Sequence, residues 1–365
     1  MNILNIHDYP PFEGGGIEVN VSRTSALMVQ QGHSVKIATP RFSSETYQNG
    51  HTLELDGVQA VRLVSLDQLY SLIREADVVH VHFTFSCRIA SMEAMSYCVR
   101  VGKKCIVSIH TSHEHIPFSS LRQLTELERD VVFSRVSTLF QSSSVVLVAP
   151  SSCIQKSLEW LGIEKSLKII PNGVALEPKI EGIPIEPVDI TYLGEVSFLK
   201  GVQYIIECTN RLKRKFPNIK VRLIGGGTET EYLKQLVTAL DLEENIEFLG
   251  YIPHIHVFDY LSKTKVHLHP SLTEVWPGAI LESMSLGNTI VASDVGGIRE
   301  MTDNGTLAYL FPKGDTLEMI DILDNLLSKQ DVEVNTRVKS FVNSRFTIAK
   351  QTRSTITFYK QVYEQ

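Results

Sequence analysis

The sequence predicts an α/β protein of two parallel-sheet domains facing across a cleft. Three observations lead there: a length of 365 residues, a repeated rhythm of short β-branched runs between helical stretches, and a restart of that rhythm after a proline-rich interruption. A chain of this length, with 43% hydrophobic residues, fills two ordinary cores more readily than one. The runs are continuous rather than alternating, as expected of strands covered on both faces.

Element by element, Ile3–Ile6 is the first strand candidate and ends at the glycine loop Gly14-Gly15-Gly16. A helix is expected from Ile17 to about Gln31. Strands are then expected at 34–39, 56–64, 76–83, 104–110 and 144–150, with Ile169 to Val174 read as a final strand and turn. The segment 175–188 is the predicted linker between a domain over 1–174 and a second over 189–345. The second half carries strand candidates at 189–194, 219–227, 245–250, 265–270 and 288–294, and a helix opening near Pro277-Gly278. The tail 346–365 reads as a helix, with Ile348, Ile356, Phe358, Tyr359 and Val362 available for packing; it is expected to cross back onto the first domain.

Charge and targeting exclude several classes. With 35 basic and 41 acidic residues the net charge is −6, which gives no general attraction to nucleic acid. Asp8 and two prolines interrupt the apolar start before a signal-peptide core forms, and no run is long enough to span a bilayer. Five cysteines without a CxxC suit a reduced, cytoplasmic protein. The pairs His80/His82, His113/His115, His254/His256 and His267/His269 have the i, i+2 spacing that would share one face of a strand, but no cysteine cluster or HExxH accompanies them. Structural or polar-cleft histidines are expected, and no metal. The series Phe118, Leu121, Leu124, Leu127, Val131, Val132 is expected to pack in a core, with a lipid-acceptor surface as its alternative. The basic cluster Arg211, Lys213, Arg214, Lys215 reads as a solvated helix face.

Ligands of open α/β sheets sit beyond the carboxyl ends of the strands, where this chain places its glycines. Gly14-Gly15-Gly16 leads into a helix whose amides would suit a phosphate, although neither dinucleotide nor P-loop fingerprint is present. The loop 194–201 offers Lys200 as a point charge for a diphosphate. Gly225-Gly226-Gly227 either admits a nucleotide or makes a tight turn. Glu274 and Glu282, eight positions apart, could hold hydroxyls at two places on an extended ligand, with the new helix between them offering amides to phosphate. The competing reading is two surface glutamates.

Taken in order, Glu274-x7-Glu282, Gly287, Ala292-Ser293, Gly296-Gly297 and Glu300, with the early glycine loop, 171–174, Gly194, Lys200-Gly201 and 225–227, resemble the family-4 retaining glycosyltransferases. The resemblance covers nearly the whole chain. It implies the GT-B fold of two Rossmann-like domains, and transfer of a hexosyl or N-acetylhexosaminyl unit from a UDP- or GDP-linked donor to a hydroxyl acceptor. It also implies no cofactor. Glu282 would hold the donor ribose and Glu274 the transferred sugar. Lys200 and the backbone near Trp276, Gly278 and Ala279 would face the diphosphate. Gly15 and Gly16 would approach the phosphates or sugar, with Gly225 and Gly226 also on the donor side. His110 would approach the transferred sugar and could donate to its hydroxyls; His113 and His115 would lie toward the acceptor. Acceptors of the glycan, lipid-linked and small-molecule classes remain open, as does peripheral contact with the inner membrane face.

Two positions depart from the family pattern: Glu195 where arginine is usual, and Arg299 where proline often stands. Glu195 keeps a catalytically impaired nucleotide-sugar-binding homologue among the alternatives, beside a hydrolysing nucleotide-sugar epimerase. A dehydrogenase lacks its fingerprint.

Overall fold

The computed structural model describes residues 1–8, 15–40, 52–86, 89–118, 124–175, 184–329 and 335–364. Gly14, Cys87, Leu121 and residues 176–183 of the expected linker lie outside the described residues. The chain divides into two compact units, Met1–Gly173 with Ile348–Gln365, and Val174–Thr347.

The first unit is built on an eight-stranded sheet: β1 Asn2–Ile6, β2 Ser34–Thr39, β3 Thr52–Leu55, β4 Val58–Arg62, β5 Val78–Phe83, β6 Cys105–Ile109, β7 Val145–Ala149 and β8 Leu167–Ile169. Their order is β3-β4-β2-β1-β5-β6-β7-β8. The pairings are parallel except β3 with β4. β5 and β6 are buried along their whole lengths, which is why their residues are apolar or hydrogen-bonded. Helix ends are satisfied locally. Ser65 caps the helix Leu66–Glu75, and Thr125 with Glu128 forms a capping box on Glu126–Gln141. At the other ends, Lys103 donates to the carbonyls of Ile73 and Ala76, and Lys165 to those of Phe140 and Ser142. The helix Ile348–Tyr363 contributes Ile356, Tyr359 and Val362 to this unit's core, beside Ile3, Val35, Val78 and Ile106.

The second unit has six parallel strands: β9 Val188–Leu193, β10 Val221–Ile224, β11 Ile246–Gly250, β12 Thr264–His269, β13 Thr289–Ser293 and β14 Tyr309–Phe311, in the order β11-β10-β9-β12-β13-β14. Tyr192, Ile206, Leu223, Leu268 and Val291 are among its core residues. In both sheets the connection direction reverses at one place, between β1 and β5 and between β9 and β12. The loops leaving neighbouring strands diverge there and open a crevice at the carboxyl edge.

Several sequence expectations need correction. The run 56–64 is not one strand: Asp56 and Gly57, both at positive φ, form the turn that joins β3 to β4. An Asp-Gly hairpin signal was therefore present, and β3 was missed beside it. β14 was also missed, and β8 ends where the last strand of the first half was expected to begin. The apolar series around 118–132 is not core throughout. Leu127 and Val131 are 74% and 64% exposed on a helix that instead buries Val136, Leu139 and Phe140. Phe118's side chain lies outside the described residues. His254 and His256 lie on the helix His254–Leu261, and His113 and His115 in a 3₁₀ turn, so only the other two histidine pairs share a strand face. In the basic cluster Arg211 is paired with Glu207 and Lys215 with Asp324.

The assignment of the 126–141 helix face is checked by chemical denaturation. Leu127→Asp should change unfolding free energy by less than about 0.5 kcal/mol, whereas Phe140→Ala should cost about 3–5 kcal/mol.

Candidate active site

In the second unit, two loops meet at the reversal between β9 and β12. The first leaves β9 and runs to Gly201, where the helix Val202–Leu212 begins; the second leaves β12 and runs to Pro277. The Leu272 N–H donates to the Leu199 carbonyl at 2.9 Å, tying the loops together. This brings Lys200 and Glu274, 74 positions apart, to 2.7 Å.

Glu274 is 6% exposed, and its Oε1 accepts three hydrogen bonds: from Lys200 Nζ at 2.7 Å, His269 Nε2 at 2.9 Å and Ser271 Oγ at 2.8 Å. Burial by itself would raise its pKa. The Lys200 charge and the His269 bond outweigh that and hold the carboxyl well below the usual carboxylate range. Glu274 is therefore ionised at neutral pH, and its Oε2 makes no hydrogen bond among the described residues. A carboxylate so weakly basic is a hydrogen-bond acceptor rather than a strong base or nucleophile. Backbone packing fixes it further. Gly296 has φ +55°, and a β-carbon there would lie 1.7 Å from the Glu274 carbonyl oxygen, so the second loop can sit this low only against glycine.

The helix Gly278–Leu286 follows. Pro277 stands at its N-cap and no side chain caps it. Its first amides therefore point out of the helix without intrahelical acceptors, an arrangement that suits an anion. Gly278 is exposed, with open space where a side chain would be, and Ala279 is half-buried beside it. One turn on, Glu282 Oε1 lies 2.6 Å from His254 Nε2, a partner that sequence reasoning did not supply. Trp276 is buried, its ring edge-to-face against Phe346 within the second unit. The expected nucleotide-facing glycines are close-packed. Gly225, at φ +120°, stands where a β-carbon would meet the Gly194 carbonyl at 2.0 Å, and Gly226 is covered by the Tyr251 ring. Packing alone requires glycine at Gly225, whereas at Gly226 the neighbour is the ring of Tyr251, which is 81% exposed and able to shift. Glu195 is exposed, and its carbonyl accepts the Tyr192 hydroxyl at 2.7 Å. Arg299 is ion-paired with Asp294.

In the first unit, His110 follows β6, and its Nε2 lies 2.9 Å from His82 Nδ1. His82 Nε2 lies 3.3 Å from Asn5 Oδ1, and Asn5 donates to Ser25 at 3.0 Å. His80, also on β5, is held between Tyr359 and Ser108 at 2.6 and 2.7 Å. Burial lowers His80 and His110 to about 3 and His82 well below its ordinary value, so all three are neutral at pH 7. His113 stacks on Trp160 and meets Ser157 Oγ at 3.0 Å; His115 meets Ser112 Oγ at 3.3 Å. Gly15 is the N-cap of the helix Gly16–Gln30, and the space beside Gly16 is open. Glu18 reaches back to that helix start. Burial raises its carboxyl above the ordinary range against the lowering pull of the Glu18 and Gly15 amides. The helix start is thus occupied by the chain's own carboxyl group, which the glycine pattern did not foretell.

Sequence reasoning also missed Ser271, His269, His82 and Asn5. The i, i+2 histidine pairs were the available signal: His82 and His269 are each the second member of a pair at the carboxyl end of a central strand. Among the described residues, no group of three or more histidine, cysteine or acidic side chains is placed to hold a metal ion, and no helix is long and apolar enough to cross a membrane.

Comparison with known proteins agrees with this architecture. The Glycosyltransferase Family 4 model matches residues 14–178 and the Glycosyl transferases group 1 model residues 175–341. The chain is 23% identical over 333 residues to the phosphatidylinositol N-acetylglucosaminyltransferase gpi3 subunit of Schizosaccharomyces pombe, covering 86% of this chain and 70% of that one. Among solved structures, sucrose-phosphate synthase from Thermosynechococcus elongatus superposes with a TM-score of 0.79 at 15% identity, over 100% of this chain and 99% of that one. Anabaena HepE in complex with UDP-glucose gives 0.77 at 17%, over 99% and 100%. The chain belongs to the family-4-like glycosyltransferases of GT-B fold. Its general activity is transfer of a sugar from a nucleotide-sugar donor to an acceptor.

The ion cluster has a pH signature. Glu274 binds its proton less tightly in the folded than in the unfolded chain, so its contribution is full above the unfolded value near 4.5 and is lost as pH falls toward the lower folded value. Glu274→Gln should cost about 1.5–3 kcal/mol at pH 7, the loss of hydrogen bonds to a charged group. Thermal melts should show the gap from the unmodified chain narrowing below about pH 4.5.

Proposed function

We propose that this chain is a retaining glycosyltransferase that moves a hexosyl or N-acetylhexosaminyl unit from a nucleoside-diphosphate sugar to a hydroxyl of a glycan or lipid-linked sugar. The observation that carries the reading is the junction of the two loops in the second unit. A buried, ionised Glu274 with one oxygen unengaged stands beside Lys200 and just before an uncapped helix bearing Glu282. In the proposed reaction the uncapped amides and Lys200 take the negative charge that grows on the departing diphosphate. Glu282 holds the ribose hydroxyls, and Glu274 Oε2 accepts from a hydroxyl of the transferred sugar. The low basicity of Glu274 favours this binding role over that of covalent nucleophile, and with it a front-side approach of the acceptor. His110 is neutral, so it serves the transferred sugar as a hydrogen-bonding partner and not as a cation.

The donor and acceptor classes draw on the relatives. The gpi3 subunit is named for transfer of N-acetylglucosamine to phosphatidylinositol, and the HepE structure holds UDP-glucose. The second supports a UDP-linked donor, and the first supports an N-acetylhexosaminyl unit and a lipid-borne acceptor.

A nucleotide-sugar binding screen followed by transfer assays with the best donor tests the reading. Glu282→Gln should raise the donor Kd about tenfold or more, the loss of one charge-assisted hydrogen bond or two. Glu274→Gln should leave donor Kd within about threefold and lower kcat at least about a hundredfold. Absence of binding by any nucleotide sugar would sink the proposal. Proton NMR of the fresh product should show the donor's anomeric configuration; an inverted product would remove retention from the assignment.

A further inference from the structure

Lys200 has two claimants. It is bonded to the Glu274 carboxylate, yet the proposed reaction asks its charge to turn toward a diphosphate. If Lys200 alone held Glu274, donor binding would strip a nearly buried carboxylate of its partner. It would then protonate or swing away, because an ionised group in that position is costly without donors. The structure supplies two further donors from the other loop. His269, 3% exposed at its side chain, and Ser271, fully buried, both reach the same Oε1. An ionised carboxylate offers no hydrogen, so His269 must carry one on Nε2 and Ser271 must donate its hydroxyl hydrogen. His269 Nδ1 then has no hydrogen-bond partner among the described residues.

We propose that His269 and Ser271 are positioning residues: they keep hold of Oε1 of Glu274 when the donor diphosphate draws Lys200 away, so that Oε2 stays presented to the transferred sugar. This rests on the glycosyltransferase reading for what Oε2 and Lys200 meet, but not for the clamp itself. Both residues lie within five positions of Glu274, at the end of β12 and the start of the loop. They therefore move with the carboxylate, whereas Lys200 belongs to the loop after β9. The other titratable group facing Glu274 is Tyr192, from β9; burial pushes its hydroxyl well above the usual range, so it stays neutral. From the loop after β13 the contact is Gly296, which has no side chain.

The test uses the full chain with His269→Leu, His269→Gln and Ser271→Ala. Glutamine places an N–H near the position of Nε2, and leucine does not. Carbon-13 NMR of the Glu274 carboxyl reads the clamp without reference to activity. In His269→Leu its titration should move upward by at least about one pH unit, the equivalent of one charge-assisted hydrogen bond. Kinetics with the donor should show kcat of His269→Leu down about tenfold or more, with donor KM within about threefold and the acid limb of the pH profile moved to higher pH. Ser271→Ala should follow in the same direction by about threefold, and His269→Gln should recover kcat to within about threefold of the unmodified chain. An unchanged carboxyl titration and pH profile in His269→Leu would overturn the proposal. So would a glutamine variant as impaired as the leucine one. Should no nucleotide sugar support transfer by the unmodified chain, the functional reading fails and the carboxyl titration alone decides the clamp.

Discussion

An ionised carboxylate taken almost wholly out of water has to be surrounded by donors, and meeting that demand at Glu274 organises the second unit. The donors come from both sides of the reversal in strand order: Lys200 from the loop after β9, His269 and Ser271 from the end of β12 and the turn beyond it. Their convergence needs the two loops in contact, which the Leu272–Leu199 backbone bond secures. It also needs room for the backbone itself, which Gly296 leaves open beneath Glu274 and Gly201 leaves open beside Pro270. The glycines and the charges are thus parts of one packing problem, since a side chain at Gly201 would push the two loops apart and one at Gly296 would push the second loop off the loop after β13.

Burial works in the opposite sense in the first unit. Among the described residues, no carboxylate raises the pKa of His80, His82 or His110, so desolvation keeps the rings neutral and each nitrogen must be assigned as donor or acceptor. His82 sits between His110 and Asn5, and Asn5 lies on β1 while His82 lies on β5. The orientation of His110 is therefore fixed by the same strand reversal that, in the other sheet, joins Lys200 to Glu274. The final helix takes part through Tyr359 on His80, which explains why a segment remote in sequence belongs to this core.

The two departures from the family pattern have different physical standing. Glu195 is exposed, so water screens its charge, and the backbone of that residue serves the fold by receiving Tyr192. Arg299 replaces the conformational restriction of proline with an ion pair to Asp294, which holds the loop after β13 by electrostatics. Neither residue enters the carboxylate cluster.

By itself the sequence determined the parallel sheets, the positions of most strands and the two glutamates, because β-branched runs and helical spacing are local properties that burial on both faces imposes directly. It also marked the loop after β9 through Gly194 and Gly201, and the loop after β12 through Glu274 and the helix opening at Pro277-Gly278. It did not reveal β3, a four-residue strand that depends on pairing with β4, nor the exposure of Leu127 and Val131, whose helix turns a different face inward. Which groups hold Glu274 and Glu282 was decided only by tertiary structure. His254 lies 28 positions from Glu282, and Lys200 lies 74 from Glu274. Spacing along a chain carries no information about partners that meet only when strands far apart in sequence become neighbours in a sheet.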